Sequence, residues 1–246
     1  MDQARSDGDL GTVLGVFAHP DDEAYLAGGL MATAVDAGRR VVCITATRGE
    51  LGFPDDDPRS IEERMTVRER ELAACLDVLG VTEHLWLDYP DGGCAAVPDD
   101  EAATRLAVLI DEIRPDTVLT FGPEGQTYHE DHIAVSRWTT LACRQATHDP
   151  RLLFAVMTPE WIEAIGQLVD VAQVMMVPGV EPPTTPADEL SLWFVAEDPI
   201  LERKVQALEC QASQVDGLIA SAGRDAYKAL NADETFRDPT PDDWRA

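Results

Sequence analysis

An α/β fold with a mostly parallel sheet is predicted by three observations. Short apolar, β-branched runs recur along the chain, stretches with helical spacing separate them, and a loop rich in Gly, Pro and Asp follows several of the runs. Alternation of this kind forces right-handed crossovers and a parallel sheet, whose ligands collect outside the carboxyl ends of the strands. The 246 residues suffice for one sizeable core. Residues 1–246 are therefore expected to form a single domain, with 1–10 and about 215–246 peripheral.

Residues 12–18 are a continuous apolar run, as a strand covered on both faces requires, and Pro20 ends it. Asp21 or Asp22 can cap a helix over 23–37, with Leu26, Leu30 and Ala34 on helical spacing and Gly38 closing it. A second strand is expected at 40–46, then a long loop over 47–58. Ser60 and Glu63 form a capping box for a helix that reaches Gly80. Residues 84–87 are a short third strand ending in the turn-rich stretch 88–93. Leu106, Leu109, Ile110 and Ile113 mark a helix over 99–113 that stops before Pro115, and 117–121 is a fourth strand. A helix beginning near Asp131 carries Ala134, Val135, Trp138 and Leu141. Further strands are expected at 152–157, 173–177 and 190–195, a short helix at 159–168, and a helix from Pro199 through Lys204, Leu208 and Gln211. The last thirty or so residues, acidic and poor in apolar groups, are expected to drape over the surface.

Composition narrows the partners. The formal charge is −27, from 46 acids against 19 bases, and only Lys204 and Lys228 are lysines. Such a field repels phosphate backbones and anionic bilayers, which argues against nucleic acid and membrane partners. No apolar stretch approaches the ~20 residues of a membrane span, and the N-terminus lacks a signal-peptide pattern, so a cytoplasmic protein is expected. Cys43, Cys75, Cys94, Cys143 and Cys210 have no paired spacing and read as reduced structural residues.

Two clusters carry the chemistry. The first strand runs into Ala18-His19-Pro20-Asp21-Asp22-Glu23, and the fourth leads to His129-Glu130-Asp131-His132. In a sheet ordered 3-2-1-4-5, strands one and four are neighbours, so both clusters meet at the switch point. Two imidazoles and one carboxylate leave an open position on a metal, as catalytic zinc sites do. Zn²⁺ acidifies water, and a nearby uncoordinated carboxylate can take the proton. Each cluster alone has a plainer explanation, since acids at a helix start are ordinary capping. It is their pairing at matching strand ends that argues for a site. His84 and His148 lie outside the clusters and read as packing or surface residues; Arg68 and Asp91, taken singly, read as surface and turn residues.

These residues resemble the LmbE/PIG-L family of zinc-dependent N-deacetylases, which act on N-acetylglucosaminyl-phosphatidylinositol and on mycothiol and bacillithiol precursors. Residues 18–23 match its AHPDDE signature in full, and 129–132 resemble its HxDH motif. Weaker matches are Thr47-Arg48-Gly49-Glu50, Arg68 with Glu71, Tyr89-Pro90-Asp91-Gly92, and 204–214. The resemblance implies a Rossmann-like three-layer sandwich and one Zn²⁺ per chain held by His19, Asp22 and His132. It implies Asp21 as general base, His129 as oxyanion stabiliser or acid to the leaving amine, Asp131 as the residue orienting a histidine, and Arg68 and Asp91 as substrate contacts. The chemistry of the residues alone does not separate Asp21 from Asp22. The chain departs from the family at Gln211, where a histidine is common, and at Glu130, where proline is usual.

The expected activity is hydrolysis of an N-acyl group, chiefly N-acetyl, from an amino sugar or related small-molecule amide. Amides of thiol conjugates are an alternative substrate class. The ligand pattern His19-x-Asp21 with a distant histidine also fits a non-haem Fe(II) oxygenase, although those sites usually sit in β-barrels. A metal-free binding protein whose acids merely cap helices is the non-enzymatic rival.

Overall fold

The computed structural model describes residues 10–167, 171 and 175–245. One sheet of seven strands runs through it. Strands β1 (Val13–Phe17), β2 (Val41–Thr45), β3 (Glu83–Trp86), β4 (Thr117–Phe121) and β5 (Arg151–Ala155) are parallel to their neighbours. β6 (Leu192–Val195) and β7 (Asp233–Arg237) complete the order β3-β2-β1-β4-β5-β7-β6, with β7 antiparallel to both its neighbours. The predicted order thus holds through β5. β1, β2 and β4 are buried at every residue, which is why their sequences run apolar instead of alternating.

Helices α1 (Asp22–Asp36), α2 (Ile61–Leu79), α3 (Asp99–Ile113) and α5 (Glu130–Gln145) supply the crossovers. The capping box at the start of α2 is complete: the Glu63 amide donates to the Ser60 hydroxyl at 3.2 Å, and the Ser60 amide to the Glu63 carboxylate at 2.8 Å. Gly80 closes the helix at φ 81°, where a side chain would strain the backbone. A single turn, α4 (Gly125–Tyr128), precedes α5. Beyond β5 come α6 (Pro159–Ile165), α7 (Ile200–Glu209), α8 (Ala212–Ala222) and α9 (Arg224–Leu230). All five cysteines are free thiols. Among the described residues no helix is long and apolar enough to cross a membrane.

Two expectations change. The strand at 173–177 falls partly outside the described residues, and Met175, Met176 and Val177 do not form one. The terminal region is not draped: β7 lies inside the sheet, Phe236 is fully buried, and Tyr227 of α9 is 1% exposed. A buried ion pair explains how an acidic strand enters the interior. Glu234 meets Lys204 of α7 at 2.8 Å, both side chains wholly buried. Glu234 also accepts the Gly29 and Leu30 amides of α1 at 2.6 and 2.8 Å, while Lys204 Nζ donates to the Tyr25 carbonyl at 2.9 Å. In an uninterrupted helix those amides point at the Tyr25 and Leu26 carbonyls. The pair is therefore inserted at the middle of α1, beside Gly28 and Gly29. A Cβ on Gly29 would come within 3.2 Å of Glu234 and 3.0 Å of Phe194.

Candidate active site

The two histidine clusters meet at the carboxyl ends of β1 and β4. His19 follows β1, and its imidazole has different company on each nitrogen. Nε2 lies 3.1 Å from Asp91 and 3.2 Å from Asp131. Carboxylates only accept, so Nε2 carries a proton. Nδ1 lies 3.1 Å from His132 Nε2. The other nitrogen of His132 faces the Gly125 carbonyl at 3.0 Å, which again only accepts, so His132 turns an unprotonated Nε2 toward His19. Two imidazole nitrogens thus converge with at most one proton between them.

Asp22 closes the triangle, 3.6 Å from His19 Nδ1 and 3.5 Å from His132 Nε2. The first distance is to Oδ2 and the second to Oδ1. With the 3.1 Å between the two rings, these separations come close to the spacing of about 3.3–3.6 Å between ligands held about 2.0–2.2 Å from a tetrahedral ion. The residues present therefore fit a metal. His19, Asp91 and Asp131 also bring three potential ligand atoms within 4.8 Å of one another, as do His19, His129 and His132. The carboxylates on the Nε2 side, like that of Asp22, are also held by backbone. Asp131 accepts the Gly92 and Cys94 amides at 2.7 and 3.0 Å, and Asp91 accepts the Leu51 amide at 2.7 Å.

The charge balance points the same way. Burial alone would lower the His19 pKa, but hydrogen bonds to Asp131 and Asp91 and the field of Asp22 push it up to about 10. His132 moves well below its ordinary value through burial and the charge of His19. The site calls for one positive charge between these rings, supplied by a proton or by a metal ion.

Asp21 is set apart from Asp22 by the backbone. Its φ of 109° turns it out of the helix start, and its side chain makes no cap bond. Asp22 instead accepts the His19 amide at 2.7 Å. Asp88 after β3 and Gln126 and Tyr128 of α4 are also at positive φ, as is Arg114 at the far end of α3. Arg68 of α2 reaches across, donating through Nη2 to the Pro20 carbonyl and lying 3.3 Å from the Asp21 carboxylate. Burial pushes Asp21 up to about 7, against the opposing charge of Arg68. Glu23, fully buried, accepts the Asp21 amide at 3.0 Å and the Cys75 thiol at 3.3 Å.

His129 caps α5, its Nδ1 accepting the Asp131 amide at 3.1 Å, so the proton of the neutral ring sits on Nε2. Burial and then His19 lower its pKa and keep it neutral. Its ring centroid is 4.7 Å from those of both His19 and His132, and Phe121 stacks on His132 at 4.2 Å.

The residues of the two clusters thus come together at the strand ends, with Arg68 and Asp91 packed against them and facing inward. Arg68 is 1% exposed, and the Asp91 carboxylate is taken by His19 and Leu51. Gln211 is buried behind the site, donating to Glu23 at 3.4 Å. His84 and His148 lie elsewhere, on Thr45 and the Pro115 carbonyl. Glu23 belongs to the signature, yet no rule of spacing marks it as the support beneath Asp21. Tyr25 and Tyr227, whose hydroxyls meet at 2.8 Å in the adjoining cavity, carry no sequence signal at all.

Comparison with known proteins identifies the family. The family described as GlcNAc-PI de-N-acetylase, PIG-L, matches residues 14–143, over half of the chain. A 1D-myo-inositol 2-acetamido-2-deoxy-alpha-D-glucopyranoside deacetylase of Acidothermus cellulolyticus is 32% identical over 83% of this chain and 80% of its own. The protein of the same name from Kineococcus radiotolerans is 38% identical over 56% of this chain, a match spanning 46% of the relative's length. Among solved structures, a conserved protein of Thermus thermophilus superposes with a TM-score of 0.63 at 26% identity, covering 93% of this chain and 94% of that one.

Proposed function

The chain belongs to the GlcNAc-PI de-N-acetylase (PIG-L) family, and from that premise we propose that it is a metal-dependent hydrolase removing the N-acyl group from an amino sugar. Acetyl is the group named in its relatives. The observation that carries this reading is the convergence of His19 Nδ1, His132 Nε2 and Asp22, with Asp21 beside them free of any capping duty. One Zn²⁺ held by His19, Asp22 and His132 would supply a Lewis acid for the amide carbonyl and lower the pKa of water.

The chain's own residues do the rest. Asp21, fixed by Arg68 and by the Glu23 contact to its amide, takes the proton of the attacking water. His129 presents Nε2–H to the oxyanion that develops on the carbonyl, and the proton held by Asp21 is passed on to the departing amine. Asp131 and Asp91 hold His19 by Nε2, leaving Nδ1 for the metal. In this reading Arg68 and Asp91 act as positioning residues.

The test is amine release from a panel of N-acetylglucosamine glycosides by the zinc-loaded protein, with and without chelator. Release that the chelator stops is expected. No amine from any glycoside, or release that ignores the chelator, would overturn the proposal.

A further inference from the structure

The catalytic groups open onto a cavity of about 390 Å³ whose remaining walls are of another character. Asp21, Asp22 and His132 line it together with Met157, Trp161, Ile162, Ile165, Leu218 and Leu230. The volume falls in the range of about 300–1,000 Å³ typical of small-molecule sites, well beyond what the methyl of an acetyl group occupies.

Polar groups line the cavity too; Gln126 and Thr127 are among them, and several of the others are committed to the protein. The Tyr227 hydroxyl donates to that of Tyr25 at 2.8 Å, and the Thr235 hydroxyl to the Val156 carbonyl at 2.6 Å. Asn231 donates to the Tyr227 carbonyl at 2.8 Å, and Asp233 accepts from the Trp193 indole at 2.8 Å. Glu234 is occupied by Gly29, Leu30 and Lys204. A sugar ring placed against the apolar wall would lose its hydration there without partners for its hydroxyls. An alkyl chain meets no such penalty and gains by leaving water.

Resting on the deacylase reading above, we propose that the preferred substrate is an amino sugar bearing a medium-length alkyl N-acyl group, and that this acyl chain occupies the cavity. The sugar stays outside it. Hydrolysis forms a bond from the water oxygen to the carbonyl carbon and breaks the C–N bond. Asp21 takes one water proton and passes it to the nitrogen as the C–N bond breaks, and the new carboxyl group loses the other, giving an alkyl carboxylate and a free amino sugar.

The experiment compares kcat/KM of the zinc-loaded protein on N-acetyl-, N-butanoyl-, N-hexanoyl- and N-octanoylglucosamine, with the octyl glycoside of N-acetylglucosamine as a further arm. Each methylene taken from water is worth roughly three- to fourfold, so hexanoyl should exceed acetyl by roughly tenfold or more. Ala222→Trp, which fills the cavity from α8, should shift the preference back toward acetyl. Acetyl turned over as well as hexanoyl would overturn the proposal and leave the deacylase reading intact. So would an unchanged preference in the Ala222 variant, or a gain confined to the octyl glycoside, which would put the sugar's substituent in the cavity. Failure to release amine from any substrate would remove both readings.

Discussion

The half of the sheet made from β3, β2, β1 and β4 and the half that adds β5, β7 and β6 border the same cleft, yet they contribute different things to it. The first half supplies His19, Asp21, Asp22, His129, Asp131 and His132 from loops at parallel strand ends, each fixed by backbone hydrogen bonds or by another charged group. The second half, with α6, α8 and α9, supplies apolar walls and a buried ion pair that ties β7 to α1. Reactive groups thus come from a region whose geometry topology dictates. The walls come largely from a region that carries none of those groups.

That division can be broken by experiment, beginning with the largest effect. Asp21→Asn should lower kcat by about 10²–10⁴-fold, the usual worth of a general base, while bound zinc stays near one per chain by elemental analysis. Substantial turnover would take the proton-acceptor role from Asp21. Lys204→Met leaves Glu234 charged and buried, and should cost about 3–5 kcal/mol in denaturant unfolding, as breaking a buried pair does. If it instead left stability intact and abolished zinc binding, the two halves would not be separable. Asp131→Asn removes the charged acceptor that holds His19 by Nε2; zinc affinity should fall about 10–100-fold in a competition titration, with the fold unchanged by circular dichroism.

The smallest effect is electrostatic. Burial, helped by Arg48, lowers the His84 pKa to about 4, whereas the unfolded chain titrates near its ordinary 6.5. Above about 6.5 both states are neutral there. Below it the unfolded state binds a proton that the folded state refuses, so stability drains away as pH falls toward 4. His84→Gln should lose less stability than the parent between pH 7 and pH 5 in parallel urea titrations. Equal losses would show that His84 does not couple to folding.

Much of the first half was readable from residues alone, because its signals are local. Ser60 with Glu63 marks the start of α2, and the helix expected over 99–113 and the strand over 117–121 coincide with α3 and β4. What spacing could not do was divide Asp21 from Asp22, because the separation lies in one backbone torsion and in Arg68, forty-seven residues away. The second half hides for a similar reason. Asp233-Glu234-Thr235-Phe236-Arg237 looks like a solvated tail until Lys204 is placed against Glu234, and no periodicity announces that partner. Likewise the cavity is lined from α1, α6, α8, α9 and β7, and becomes apolar only when those elements are assembled.

The insertion of β7 between β5 and β6 also sets an order of events during synthesis. β6 leaves the ribosome some forty residues before β7 but has no place in the sheet without it. Until residue 237 emerges, the nascent chain can assemble β1 to β4 and dock β5 while the far side of β5 stands unpaired. Such an edge invites pairing with a neighbouring chain. The last strand to be made is thus the one that closes this edge.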